Sequence, residues 1–521
     1  MTESRTSHSI KNAAASLSLR IVSVLSQFLL RTVFLRVLGN GYTGVSGLFT
    51  DVLNVLLLAQ ASLETAMNCS LYRPVAENDA PRVAALVRWY HKGFRLAAGG
   101  MLAAGVLCVP FLGRIVGDAP EIREDIRLIF LLFTGSAAFS CWFACRPALL
   151  KAAQRSRTVS LYGVAAQTAE CLLSLALLLL FRRYLLWLAL HVAVNAVRTL
   201  LLWKRTKKEF PSYLTETPLP LAMRERRGLR TDWLCLAAYQ LSGAAVYSTD
   251  SVFIAALFGA GQVAVTGNYL LIVNSVRGCL EQLFGAVRSS VGHLAATDPP
   301  EKQLAVFRRL DLTAYFAACW GAAALFTLLD PFVGELWLGE AYRLPAAVTA
   351  LLAVNFYLAV MVYPVETFRA ANGLFRQGWG RPLATASLNL LLDWLLGRRF
   401  GLAGIFAATA LSRAATQVWF DPLLVFRRAF RADVKRYYAE YTARAALAAV
   451  ISAATFGIAS VPVFSGVGAA FLYRFFIAAT VPGVILCAVF CRSKPFRELI
   501  GMARRVVRKG NRDLASCRGG H

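Results

Sequence analysis

Apolar stretches as long as a bilayer is thick recur along the whole chain, and this feature limits what it can fold into. At 1.5 Å of rise per residue, about 17–25 apolar residues cross a hydrocarbon core of about 30 Å as a helix. Fourteen such stretches can be counted, near 12–38, 44–71, 93–113, 126–147, 158–181, 184–203, 232–257, 262–287, 312–336, 343–366, 380–397, 402–426, 443–461 and 467–491. One soluble core cannot absorb them. Only 16% of the 521 residues are charged, against about 25% in a soluble domain. A soluble enzyme, a disordered chain and a secreted disulfide scaffold are excluded. An outer-membrane barrel would need strands that alternate apolar and polar residues. The expected fold class is an all-α polytopic membrane protein of about 14 transmembrane helices.

The charge then reads as topology. Lys and Arg number 56 against 29 Asp and Glu, a net +27. The basic residues sit between apolar spans rather than on one patch, so nucleic acid is not an expected partner. With the N-terminus inside, the expected cytoplasmic segments hold 41 Lys/Arg and the opposite loops hold 8. That bias places both termini in the cytoplasm of a multi-pass protein of the cell (plasma) membrane. The first span lacks a cleavage site and is expected to remain as an anchor. The basic segment Val83 to Arg95 can lie on the inner leaflet against anionic lipids or form a solvated loop helix. The eleven Cys include no CxxC pair and the five His show no ligand spacing, so neither a metal nor a cofactor is expected.

The two halves resemble one another at an offset near 215–220. Arg31-Thr-Val-Phe34 faces Asp250-Ser-Val-Phe253, and Val45-Ser-Gly47 faces Val265-Thr-Gly267. Lys151-Ala-Ala-Gln154 faces Arg369-Ala-Ala-Asn372, and Arg182-Arg-Tyr184 faces Arg398-Arg-Phe400. The repeat is six spans long, so orientation is preserved and the halves relate by an axis along the membrane normal. This gives a six-helix lobe over 12–203, a basic linker over 204–230 and a second six-helix lobe over 231–427. Two further helices over 428–491 and a basic tail over 492–521 follow. Transporters built this way hold substrate between the halves and expose it alternately. Pro147 and Pro364 recur at the repeat offset and predict a shared bend, with a hinge role as a hypothesis.

Charges within spans are costly and usually face a cavity or a partner. Arg20 and Arg31 lie about three turns apart on one face of the first span. With Arg277 and Arg413 they are the candidate cations of a central cavity that binds an anion such as a pyrophosphate. Structural pairing is the competing reading: Glu281 follows Arg277 by four residues, and Asp250 can pair with Arg31. Asp250, Glu170 and Asp393 are candidate cavity or ion-coupling acids. Arg36, Arg198 and Arg474 lie near span ends and are expected to snorkel. No catalytic residue is expected. The outer-loop acids Asp118, Glu121, Glu124 and Asp125 read as a solvated face.

These residues also carry a family resemblance. The stretches are Arg31-Thr-Val-Phe-Leu with Gly44-Val-Ser-Gly-Leu-Phe, Ser70-Leu-Tyr-Arg-Pro-Val-Ala-Glu-Asn-Asp79, Ser248-Thr-Asp-Ser-Val-Phe253, Gly267-Asn-Tyr-Leu-Leu-Ile272 and Leu336-Trp-Leu-Gly-Glu340. In order and spacing, from about 12 to 430, the chain resembles the polysaccharide transporters, the O-antigen-type flippases of the multidrug/oligosaccharidyl-lipid/polysaccharide superfamily. The resemblance implies a two-lobed bundle around a cationic cavity, with Arg20 or Arg31 in it. It implies movement of isoprenoid-pyrophosphate-linked oligosaccharide from the inner to the outer leaflet for polysaccharide biosynthesis. Where Arg31 stands in the first repeat, Asp250 stands in the second, so the number of phosphate-binding cations stays open. The alternatives are a cation-coupled multidrug exporter of the same superfamily, a membrane glycan polymerase, or a passive partner of glycan assembly proteins. A monomer is the expected state, because the cavity lies within one chain.

Overall fold

The computed structural model describes residues 2–113, 122–153, 155–211, 213, 220–374, 376–378, 380–461, 466–493, 496–498 and 501. The side chains of 2–22, 241–248 and scattered others lie outside the described set. The described residues form fifteen α-helices: α1 (Thr2–Ala76), α2 (Ala80–Cys108), α3 (Ile126–Phe143), α4 (Cys145–Ala152), α5 (Ser156–Phe181), α6 (Tyr184–Glu209), α7 (Met223–Phe258), α8 (Ala260–Thr297), α9 (Pro300–Asp330), α10 (Ala346–Met361), α11 (Tyr363–Ala371), α12 (Gly380–Ala415), α13 (Gln417–Val425), α14 (Lys435–Ser460) and α15 (Val467–Phe490). No strand occurs among the described residues.

Ten stretches among the described residues are long and apolar enough to cross a membrane. The first, Ser23–Leu71, holds the first two expected spans. The seventh, eleventh and twelfth expected spans fall on α7 and α12, which carry Asp250, Asp393, Arg398, Arg399 and Arg413 within them. Leu96, Leu180 and Leu472 are among many large apolar side chains left exposed, as lipid contact requires.

The turns follow from glycine and proline. α1 is two helices joined at Gly39 (φ 84°, ψ −177°), and α7 passes to α8 through Gly259 (φ 82°, ψ 162°). A side chain would be strained at such a φ. The two positions are related by the sequence repeat, so the repeat has an echo in the backbone. Gly401 (φ 64°) breaks α12 in the same way. Proline cannot donate to the carbonyl four residues earlier. For Pro147 that carbonyl is Phe143, where α3 ends; for Pro364 it is Val360, one residue before α10 ends. The helix is interrupted at the matching place before each proline, at Ala144 and at Val362, with the backbone there still in the right-handed helical region.

The segment Val83 to Arg95 is the first half of α2 rather than a separate loop helix, with Val83 to Val87, Tyr90 and Phe94 buried in protein and Arg88 and Arg95 exposed. Of the outer-loop acids, Asp118 and Glu121 lie outside the described residues. Asp125 caps α3 by accepting from the Arg127 N–H, and Glu124 accepts from the Tyr42 hydroxyl. All nine described cysteines are free.

Contacts group the chain into two compact units. The first comprises residues 1–268 and 379–412, and the second 269–378 and 413–521. In the first, Phe49 meets Phe130 and Phe133, and Phe34 meets Tyr184 and Trp187. In the second, α9 is the hub for α10, α14 and α15. Arg444 on α14 pairs with Asp311 on α9 at 2.6 Å. Arg474 on α15 pairs with Glu335 at 2.9 Å rather than snorkelling. Arg369 and Asp421, at 2.6 Å, are buried to 2% and 1% exposure.

Removing one partner of a buried ion pair strands the other charge. Asp421→Ala is expected to destabilise the protein by about 3–5 kcal/mol, while Arg369→Met with Asp421→Leu restores most of the loss. Thermal unfolding in detergent separates the two outcomes.

Candidate functional site

The first unit holds three polar clusters inside its membrane-spanning helices. The first is built on Arg31. Its Nε donates to Asn268 Oδ1 at 2.9 Å, and its Nη2 donates to the Ala264 carbonyl at 3.2 Å. Both acceptors lie one turn apart on α8, so a single guanidinium spans them. Gly267 makes room, since a Cβ there would stand 2.9 Å from Arg31 Nη2. Asp51, on the second part of α1, lies within electrostatic reach of Arg31 and accepts hydrogen bonds from Ser251 and Asn54. Nearby in sequence, the first turns after Gly39 and Gly259 touch. A Cβ on Gly44 would overlap the Ala260 carbonyl.

The second cluster joins α7 to α12. Asp250 accepts from Thr409 Oγ1 at 3.0 and 3.2 Å to its two oxygens. Asp393 is fully buried and accepts from Asn389 Nδ2 at 3.3 Å. The two carboxylates act on each other electrostatically. Asp393 Oδ2 and Asn389 Oδ1 are buried with no hydrogen-bond partner among the described residues. Buried acceptors converging beside two carboxylates favour a proton or a bound cation.

The third cluster is a pair. His191 Nδ1 on α6 lies 2.6 Å from Glu170 Oε1 on α5. The imidazole stacks on Trp187 with centroids 5.9 Å apart.

The seven candidates therefore divide. Asp250 and Asp393 come together, and Glu170 acquires a histidine. Arg31 binds α8 through Asn268 and Ala264, whereas Asp250 turns to Thr409. Arg277 is half-buried in the second unit, with Glu281 exposed, and Arg413 is buried there at 3% exposure. The Arg20 side chain lies outside the described residues. Of the end-of-span arginines, Arg36 is exposed and Arg198 donates to Asn195 at 3.0 Å. Asn268, Asn389, Thr409 and His191 are not among the candidates that the sequence offers. One signal was available: Asn389 and Asp393 are four apart and share a helix face.

Comparison with known proteins bears on the fold. No protein-family model matches the chain, and no curated protein sequence does. Solved structures do match. The lipid II flippase MurJ in an inward closed conformation superposes with a TM-score of 0.66 at 13% identity, over 93% of this chain and all of that one. A multidrug resistance MATE family transporter of the MOP superfamily, inward-facing, gives 0.57 at 13% identity, over 78% and 98%. The Vibrio cholerae MATE transporter VcmN, in its bent form, gives 0.55 at 13% identity, over 82% and 98%. The chain thus has the polytopic helical fold seen in these proteins.

The two glycine contacts differ in what can yield. Gly267→Val meets a mobile arginine tip, while Gly44→Val meets backbone. The thermal midpoint is expected to fall clearly further for Gly44→Val, and Gly267→Val is expected to act chiefly by releasing Arg31 from Asn268.

Proposed function

We propose that this protein is a flippase. It moves isoprenoid-pyrophosphate-linked oligosaccharide from the inner to the outer leaflet for polysaccharide biosynthesis, by alternating access between two pseudo-symmetric halves. The observation that carries the reading is the chemistry around Arg31. Its direct hydrogen-bond acceptors are neutral, an amide oxygen and a carbonyl. A phosphate oxygen is a stronger acceptor than either and takes a guanidinium in two parallel hydrogen bonds. Arg31 can therefore exchange α8 for a pyrophosphate without breaking a carboxylate pair. Arg20, Arg277 and Arg413 remain proposed as further cations on the same path.

The physics suits such a cargo. The isoprenoid tail stays in lipid while glycan and pyrophosphate need a polar route. With the cytoplasm negative, two charges moving outward across about 100 mV gain about 4.6 kcal/mol. The buried Asp250–Asp393 cluster, and Glu170 with His191, are proposed ion-coupling acids. Buried carboxylates beside unpartnered acceptors offer a seat to a proton or sodium ion.

A multidrug exporter of the same fold is the second reading, and the same acid pair favours it, because a cation-coupled exporter needs such a seat. The two separate in cells depleted of the protein, by comparing leaflet sidedness of lipid-linked glycan with permeant and impermeant probes. The flippase reading expects glycan-linked isoprenoid pyrophosphate to accumulate on the inner leaflet, relieved by wild type and not by Arg31→Ala. Unchanged sidedness with no accumulating intermediate moves the assignment to drug export. Outer-leaflet accumulation of unpolymerised units moves it to a polymerase.

Coupling has its own test. In proteoliposomes, flipping by the wild type is expected to change severalfold when the sodium or proton gradient is reversed, and Asp393→Asn is expected to remove that dependence. Flipping indifferent to both gradients ends the coupling role of all three acids.

A further inference from the structure

Several described arginines are matched to carboxylates. Arg82 pairs with Glu225, Arg155 with Glu209, Arg369 with Asp421, Arg444 with Asp311 and Arg474 with Glu335. One group in the first unit brings two arginines together on indole rings instead. Arg95 on α2 lies over the ring of Trp142 on α3, 4.9 Å from its centroid. Arg146 on α4 lies over Trp203 on α6 at 3.9 Å. His91, one turn before Arg95, feels both guanidinium charges. No carboxylate pairs with Arg95 or Arg146 among the described residues, and Arg146 Nη1 is buried with no hydrogen-bond partner among them.

We propose that His91, Arg95 and Arg146, backed by Trp142 and Trp203, bind the phosphate of an anionic phospholipid headgroup in the inner leaflet. Positive groups held together without a counter-ion repel one another, and a bound phosphodiester removes that repulsion. A guanidinium stacked on an indole keeps its edge N–H groups free, and those fit two phosphate oxygens. The stack also fixes the fork in place, so less entropy is lost when the anion arrives.

The surroundings specify a lipid. Arg95 and Trp142 are exposed, and beside them Leu96 is 73% exposed. An exposed cation, indole and leucine close together mark the level where headgroup meets acyl chain. The cluster lies midway along α2, where α3 gives way to α4 and where α6 approaches its end. The loop charges put all three at the cytoplasmic side, where anionic lipids gather. The inference does not depend on the cargo, since a drug exporter of this fold would carry the same site.

The test uses the full chain in mild detergent, with native mass spectrometry counting retained phosphatidylglycerol against phosphatidylcholine. Wild type is expected to retain phosphatidylglycerol selectively. Each arginine removed is expected to weaken retention about fivefold, so Arg95→Gln with Arg146→Gln loses nearly all of it. Arg398→Gln with Arg399→Gln removes the same charge at the opposite ends of the spans and is expected to change little. Arg95→Gln alone, at an exposed side chain, gives the single-step loss should the double variant not fold. Wild-type retention in Arg95→Gln, or an equal loss in the Arg398/Arg399 variant, overturns the site. Displacement of the lipid by equimolar glycerol 3-phosphate overturns the assignment to a lipid and leaves a free-phosphate site.

Discussion

Within a bilayer there is no water to satisfy a polar group, so each must find its partner in protein. That constraint sorts the charges of this chain by what they touch. Arg369, Arg444 and Arg474 meet carboxylates and hold helices together. Truncating such a pair leaves a bare buried charge, so these pairs are poor places for a ligand to intervene. Arg31 is different, because its hydrogen bonds end on an amide and a carbonyl. Its charge is spent on no direct ion pair among the described residues. On the proposed reading, a group held this way is restrained when empty and exchanges its neutral acceptors for an anion.

The acids divide by the same logic. Glu170 has a histidine nitrogen at 2.6 Å as its partner. Asp393 accepts from Asn389, and Asp250 lies close enough to repel it. Asp393 Oδ2 and Asn389 Oδ1 are buried with no hydrogen-bond partner among the described residues. On the proposed reading, that is where a small cation or a proton sits.

Much of the fold was legible because span length and loop charge are properties of consecutive residues. The fourteen apolar stretches fall on helical segments, and the interruptions before Pro147 and Pro364 follow from one missing N–H in each case. The contacts of the charged side chains were not legible. Arg474 reads as a snorkelling residue because position along a helix says nothing of the helix beside it, and Glu335 is supplied by a segment 139 residues away. Val83 to Arg95 reads as interfacial because it is basic, yet its apolar face is buried. The Asp250–Asp393 pair depends on the rotation of α7 against α12, which no spacing within either helix encodes. The Asn389/Asp393 spacing reveals only half of it.

The repeat explains why the site is asymmetric. Gly39 and Gly259 take nearly the same φ, so the two halves turn alike at equivalent points. The helices leaving those turns approach until Gly44 touches the Ala260 carbonyl, a contact that admits no side chain. Backbone geometry is thus shared, while the chemistry on it is not. The helix before the first turn carries Arg31, and the helix before the second carries Asp250. A duplicated frame therefore supplies an anion-seeking group in one half and a cation-seeking group in the other.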